Sequence, residues 1–390
     1  MKILIANPHL KVGGIASSLV NWLHYFKNYT NHEVTLVIFD SEVDEKYLES
    51  LKGYDIVILD KFEKYRLSHR NFGKYSLKYK GYFAFMAILR KLNFSNKYIK
   101  NKFRKYSYVG QYDLAISYSN DIPNKQDNVL SNDFVLYSVN ARNKVAWVHN
   151  DIERLGFTVE YAKNRFKYFD FIVNVASSCK EQFDSLVPEF SKKSLVVSNP
   201  VNEVEIKEKI QESLGIRYND KVFNFVTVAR IANQKRIDRL FEIAKRLNEK
   251  GLEFNWYILG GGEDLESFRD LVVKNNLSNK VFFKGFVNNP YVYLNIADYF
   301  VLTSDYEAQP VAVLESLTLS IPVITTNIPI MYQFIEEGKN GFIRNKDVNE
   351  LVEVISNVIE NNIRLKGFEF NYKQYVVEWD ALVSKCNLEN

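Results

Sequence analysis

The residues best suited to chemistry lie in the second half of the chain. The run Ser304-Asp305-Tyr306-Glu307-Ala308-Gln309-Pro310-Val311-Ala312-Val313-Leu314-Glu315 follows an apolar stretch that reads as a β-strand, and residues 311–317 can start a helix. Glu307 then falls in the strand-to-helix loop and Glu315 two turns inside the helix. In open α/β sheets, ligands bind beyond the carboxyl ends of the strands, where this loop must lie. Two carboxylates eight positions apart at such a crevice can accept charge-assisted hydrogen bonds from the hydroxyls of a sugar and a ribose. Spacing alone fits two solvated glutamates equally well.

Cations stand nearby in the same series of elements. In Val228-Ala229-Arg230-Ile231-Ala232-Asn233-Gln234-Lys235-Arg236, Arg230 ends a strand and Lys235 precedes a helix. A helix N-terminus with two cations suits a diphosphate, although the same residues would also make an ordinary basic loop. Gly260-Gly261-Gly262-Glu263 and Gly285-Phe286-Val287 each follow a strand. Glycine lets backbone amides approach a ligand closely, and such turns are often glycine-rich in any case.

In the first half, Lys11-Val12-Gly13-Gly14-Ile15-Ala16-Ser17 joins the first strand to its helix. It lacks the G-x-G-x-x-G spacing of a dinucleotide site, while Asp40 at the end of strand two keeps an NAD-binding reading open. His149 follows the strand over residues 145–148. A lone His is usually structural, but one at a strand's carboxyl end can reach the crevice. No D-x-D triplet, metal-spaced cluster, G-x-S-x-G or G-x-x-x-x-G-K-[ST] occurs. A departing diphosphate would have to be stabilised by side-chain cations, with no metal and no other cofactor expected.

Positioning these residues requires a particular rhythm of elements. Short apolar runs alternate with longer amphipathic ones, as in a parallel sheet covered on both faces. Strands are predicted at residues 3–6, 34–39, 56–59, 114–117, 145–148, 171–175 and 195–197. A second series is predicted at 223–228, 256–259, 281–283, 299–302 and 323–325, with helices at 236–248 and 265–275. A chain of 390 residues is comfortable as two domains, here 1–199 and 200–368, joined at Asn199-Pro200. Residues 369–390 hold Tyr372, Tyr375, Trp379 and Leu382 at helical spacing, a final helix that folds an aromatic face back toward the first domain. Two cysteines, Cys179 and Cys386, give no disulfide framework and fit a reducing compartment. The N-terminus reads as a strand, not a signal peptide, and residues 82–89, the longest apolar stretch, fall far short of the roughly 20 needed to span a membrane. A cytoplasmic location follows as the expectation.

Together these segments closely resemble the retaining glycosyltransferases of GT-B fold, family 4 type, including those of bacterial capsule and cell-surface polysaccharide synthesis. The resemblance covers nearly the whole chain. It rests on E-x7-E (Glu307 to Glu315) with the following Leu317-Thr318-Leu319-Ser320-Ile321-Pro322-Val323-Ile324, and on R-x4-K (Arg230, Lys235). Gly13-Gly14, His149 and Asn199-Pro200-Val201 match in place and order. It implies an α/β chain of two Rossmann-like domains with parallel sheets facing across a cleft, acceptor-binding first and donor-binding second. Glu307 would contact the donor sugar, Glu315 the ribose, and Arg230 and Lys235 the diphosphate. His149 would meet the sugar near the reaction centre, Gly13 and Gly14 the phosphate and acceptor, and backbone near Phe286 the base, usually uracil. Gly261 and the run Ala308, Gln309, Pro310, Val311 would also border the donor. The family often has E-G-F-G at the first glutamate; Pro310 here offers no amide hydrogen, which puts the choice of sugar in doubt. A nucleotide-sugar epimerase of similar fold and a catalytically silent binding subunit are the competing readings.

The net charge of +4 hides an asymmetry. Between Lys61 and Lys105 stand 14 Lys/Arg and a single acid, Glu63, or +13; the remaining 37 basic and 46 acidic residues give −9. Tyr65, Tyr75, Tyr79, Tyr82, Phe83, Phe85 and Phe94 are interleaved. Cations and aromatics together suit an anionic membrane surface, so peripheral docking on the inner face of the plasma membrane is expected, with a lipid-linked or anionic glycan acceptor. A solvated basic surface is the plain alternative. No nucleic-acid motif accompanies the charge, and no nucleic-acid partner is expected.

Overall fold

The computed structural model of the chain describes residues 1–11, 13–40, 43–44, 47, 50–62, 77–92, 94–121, 123, 129–212, 221–365 and 367–388. The chain forms two compact units, Met1–Pro200 with Lys373–Asn390, and Val201–Tyr372.

The first unit runs β1 (Lys2–Asn7), α1 (Gly14–Tyr29), β2 (Glu33–Ile38), β3 (Asp55–Ile58), α2 (Leu77–Lys91), α3 (Ser95–Arg104), β4 (Gln111–Ser117), α4 (Ser131–Ser138), β5 (Asn140–Val148), α5 (Val159–Phe166), β6 (Phe171–Asn174), α6 (Ser177–Leu186) and β7 (Ser194–Val196). The strands form one sheet in the order β3-β2-β1-β4-β5-β6-β7, parallel throughout. Ile3, Leu4, Ile5 and Ala6 are all buried, because a sheet covered on both faces leaves neither side of a strand to water. The C-terminal helix, Gln374–Leu388, belongs to this unit. Trp379 packs on Trp22 and Phe26 of α1, with ring centroids 5.3 and 4.7 Å apart. The Ser198 amide donates to Glu378 at 2.7 Å, and Asn143 donates to the Cys386 carbonyl. Tyr372, counted on this helix from spacing, instead precedes it and lies in the second unit.

The basic segment divides between surface and interior. Of the aromatics read as interfacial, Phe83 is buried in the core, and Lys61 is spent over the Tyr106 ring at 3.8 Å. Lys64, Tyr65, Arg66, Arg70, Lys74 and Tyr75 lie outside the described residues, as do the side chains of Lys78 and Tyr79.

The second unit runs α7 (Glu203–Lys209), β8 (Phe223–Val228), α8 (Ile237–Glu249), β9 (Phe254–Leu259), α9 (Leu265–Lys274), β10 (Val281–Gly285), α10 (Tyr291–Ile296), β11 (Tyr299–Leu302), α11 (Val311–Thr318), β12 (Val323–Thr326), β13 (Gly341–Arg344) and α12 (Val348–Glu360). Its sheet, again parallel, has the order β10-β9-β8-β11-β12-β13. Leu240, Ala244 and Leu247 of α8 recur at three- and four-residue steps and are buried in one cluster with Phe225, Trp256 and Tyr299 of the strands. Strand β13 escaped the sequence reading because Gly341-Phe342-Ile343-Arg344 is short and ends in a cation. A Cβ at Gly341 would sit 2.2 Å from the Val323 carbonyl oxygen, so only glycine lets this strand close on β12.

In each sheet the order in which the chain adds strands reverses at the centre, where β1 lies beside β4 and β8 beside β11. Loops leaving adjacent carboxyl ends diverge there and open a crevice.

Candidate functional site

In the second unit the crevice is built from loop 229–236, after β8, and loop 303–310, after β11. The Thr303 hydroxyl donates to the carbonyls of Lys235 and Arg236 at 3.2 and 3.0 Å. The Asp305 amide donates to the Gln234 carbonyl, and the Gln234 amide group to the Tyr306 carbonyl, both at 2.9 Å. Arg236 adopts a left-handed conformation, φ 51°, and pairs with Asp238 and Asp305 at 2.8 and 3.1 Å. Buried Arg239 adds a bond to Asp305 at 3.0 Å. Burial alone would raise the Asp305 pKa; hydrogen bonds from Arg239 and Arg236 outweigh it and hold the carboxyl below its usual range. The two loops therefore form one rigid frame.

That frame sets Lys235 Nζ 2.5 Å from Glu307 Oε1, and the same oxygen accepts the Ser304 hydroxyl at 2.6 Å. The Glu307 side chain is only 7% exposed, so the contact is a charge-assisted bond largely screened from water. Glu315, buried on α11, accepts from the Tyr291 hydroxyl at 2.9 Å. Gln309 donates to the Tyr372 hydroxyl at 2.5 Å, and Pro310 caps α11, with Val311 as its first residue and half-buried Ala308 just upstream. Arg230 is exposed and makes no ion pair with a carboxylate among the described residues. The structure thus joins Lys235 to Glu307 directly, whereas Glu315 is held by Tyr291 and Arg230 stands apart from both acids.

Two glycines of the run 260–262 meet a packing requirement. A Cβ at Gly260 would lie 1.9 Å from the Ala229 carbonyl oxygen, and one at Gly262 would lie 2.0 Å from that of Ile231. These glycines let the end of β9 close on the segment carrying Arg230, so packing alone requires them. Gly261 alone faces open space. Phe286, half-exposed, follows Gly285, whose φ is +68°.

The first unit's crevice is different in character. Gly13 and Gly14 start α1, and a Cβ at either would meet nothing within 4 Å, so internal packing does not require glycine there. Asp40, which an NAD reading would assign to a ribose, forms an ion pair with Lys11 at 2.9 Å. His149 is buried, its amide donating to Asn120 at 3.1 Å and its ring 4.5 Å from that of Tyr118. Burial pushes the imidazole pKa down to about 3, against a smaller opposing effect from a hydrogen bond with the Tyr118 backbone. The ring is therefore neutral at physiological pH, and its Nε2 has no partner among the described residues.

Residues 206–374 match the model of the family described as glycosyl transferases group 1. That match falls almost wholly on the second unit. Over 153 residues the chain is 28% identical to the poly(ribitol-phosphate) alpha-N-acetylglucosaminyltransferase of Staphylococcus aureus, covering 39% of this chain and 31% of that protein. Over 177 residues it is 33% identical to the alpha-monoglucosyldiacylglycerol synthase of Acholeplasma laidlawii, covering 44% of each. The chain thus spans less than half the length of these curated relatives. Whole-chain likeness appears in solved structures: HepE of Anabaena, in complex with UDP-glucose, superposes with a TM-score of 0.64 at 15% identity, covering 99% of this chain and 95% of that one. This likeness shows the fold, and the two Rossmann-like units are those of the GT-B architecture.

Several residues of this crevice had no readable signal. Tyr291 comes from α10, 24 positions before Glu315, and nothing in its own sequence neighbourhood marks it. Ser304, Asp305, Arg236 and Arg239 are common polar residues whose roles depend on which loop folds against which. Among the described residues, no group of three or more His, Cys, Asp and Glu is placed to hold a metal ion.

Proposed function

We propose that the chain is a retaining, metal-independent glycosyltransferase that moves a sugar from a UDP-sugar to a lipid-linked or anionic glycan acceptor in cell-surface polysaccharide synthesis. One observation carries this reading: the Lys235–Glu307 contact at the switch-point crevice of a glycosyl transferases group 1 domain. The names of the two curated relatives point to a polyol phosphate and a lipid as acceptors, and the UDP-glucose in HepE points to the nucleotide.

Breaking the anomeric C–O bond leaves an electron pair on the departing diphosphate. Lys235 and Arg230 are the cations that stabilise it, an effect of roughly 3–4 kcal/mol for one well-placed group. Glu307 accepts from the sugar hydroxyls and Glu315 from the ribose, with Tyr291 fixing the second carboxylate. The acceptor oxygen bonds to the face of the anomeric carbon that the phosphate leaves, and its proton passes to that phosphate. His149, being neutral, serves as a hydrogen-bonding group at the sugar and not as a proton source. Gly13 and Gly14 border the acceptor, while Gly261, the run 308–311 and the backbone at Phe286 border the donor.

The test is hydrolysis of UDP-, GDP- and ADP-sugars by the purified chain, with and without a chelator, followed by NMR assignment of the transferred anomer. UDP-sugar turnover that survives chelation, with retained configuration, is expected. No turnover with any donor removes the enzyme reading, and inversion or chelator sensitivity removes the mechanism.

The same proposal includes peripheral docking on an anionic leaflet at the inner face. Helix α2 buries Phe83 and Met86 but exposes Phe85 and Ile88, 41% and 58% accessible, with Leu92 and Phe94 also exposed. Arg90, Lys91 and Lys97 are close to them in sequence, and no acidic residue occurs from Lys64 to Tyr112. Each cation near such a surface contributes about 1 kcal/mol. Among the described residues no helix is long and apolar enough to cross a membrane. Flotation with anionic but not neutral vesicles is the expected result; equal behaviour with both would end the docking proposal.

A further inference from the structure

We infer that the hollow between α3, α4 and α5 of the first unit binds an anionic, hydroxyl-rich chain, a glycan or polyol bearing phosphate or carboxylate groups. Calling that chain the acceptor rests on the function proposed above; the binding itself does not.

The hollow has a volume of about 640 Å3, within the range that holds a drug-sized ligand. Its first wall is α3. Ile99 and Phe103 are buried on one side of this helix, which fixes its rotation and turns Lys97, Lys100, Asn101 and Arg104 into the hollow. The second wall is α5, with Thr158, Glu160, Tyr161 and Asn164, and Tyr137 of α4 lies between the walls. Lys100 and Arg104 lie over the Tyr137 ring at 4.9 and 5.2 Å, so stacking holds both cations in place. None of Lys97, Lys100 and Arg104 forms an ion pair with a carboxylate among the described residues.

The other charged residues that line the hollow, Arg165 and Asp133, pair with each other. Arg165 donates to both oxygens of Asp133 at 2.9 and 3.3 Å and also pairs with Asp121. This cluster is buried and closed on itself, and the Tyr161 hydroxyl completes it with a bond to Asp121 at 3.4 Å. Of the open charges, three cations face one carboxylate, Glu160, which leaves an excess of two positive charges in a concave site. Such an excess attracts phosphate or carboxylate. The amides of Asn101 and Asn164 and the Thr158 hydroxyl suit sugar or polyol hydroxyls. Among the described residues no aliphatic side chain lines the hollow, which argues against an acyl chain as occupant. Asp121 follows Asn120, which accepts the His149 amide, so the closed cluster also anchors the segment that holds His149.

The experiment is titration calorimetry of the full chain with two soluble anionic oligomers, a glucuronate-containing tetrasaccharide and a glycerol-phosphate tetramer, against neutral chitotetraose and anionic vesicles. Two variants are compared with wild type: Lys97→Glu/Arg104→Glu, and Lys97→Gln/Arg104→Gln, which keeps the hollow's shape if charge reversal disturbs folding. At least one anionic oligomer should bind more tightly than chitotetraose. Charge reversal should weaken that binding at least about tenfold, and the glutamine variant should weaken it less. Equal binding of neutral and anionic oligomers, unchanged affinity in the charge-reversed protein, or binding to vesicles alone would overturn the inference. Donor hydrolysis measured on the same wild-type preparation separates the two claims. Anion binding without hydrolysis leaves this site standing and removes the transferase; hydrolysis without anion binding does the reverse.

Discussion

The two sheets share one strand order about their centres, yet their crevices are electrostatic opposites. Beside β8 and β11, Lys235, Glu307, Arg236, Arg239 and Asp305 are charged and cross-bonded. At the carboxyl end of β5 in the other sheet, His149 is buried, uncharged and walled by Tyr118 and Trp147. A common backbone geometry therefore fixes where a ligand can sit but not what kind. The charged crevice suits a group whose charge grows during reaction, and the neutral one suits recognition of hydroxyls near an anomeric carbon.

The sharpest way to break this contrast is at Lys235. Lys235→Ala should lower the transfer rate about a thousandfold, the scale for one transition-state donor, in a protein that still folds but unfolds at a lower temperature, because the largely buried Glu307 carboxylate loses its charge partner. Turnover near wild type would mean that the charged crevice is not the donor site.

The neutral crevice is tested by acid. An imidazole with a folded-state pKa of about 3 and an unfolded one near 6.5 binds fewer protons when folded. Its contribution to stability is complete above about pH 6.5 and is lost as pH falls from there toward 3, at up to roughly 1.4 kcal/mol per pH unit. Urea unfolding at pH 7 and pH 5 should therefore show a steeper loss in wild type than in His149→Gln. Parallel losses in the two proteins would mean that His149 is not held neutral by its surroundings.

A smaller effect belongs to the rim of the charged crevice. Glu315→Gln should raise the donor KM about tenfold with little change in kcat, because the ribose contact proposed for it would act equally in ground and transition states. Tyr291→Phe, which removes the hydroxyl that donates to Glu315, should move KM in the same direction by less. A fall in kcat without a change in KM would place Glu315 at the reacting centre instead.

Much of the fold was legible because β-strands in a doubly covered parallel sheet are continuous apolar runs. Tyr299–Leu302 and Val323–Thr326 show this plainly, and helices such as Ile237–Glu249 carry a clear three-to-four-residue period. Strand β13 was hidden by its brevity and its terminal arginine. Candidate residues were visible by type, at Arg230, Lys235, Glu307 and Glu315, since chemistry needs charge at a strand's end. Their partners were not. The sequence by itself determined the alternation of elements and the charges that end particular strands, because both follow from local composition and spacing. Only the tertiary structure decided that Lys235 meets Glu307 while Arg230 does not, that Gly260 and Gly262 serve loop packing, and that His149 is neutral. Each of these depends on which distant segments exclude water from one another, and that is a property of packing in three dimensions.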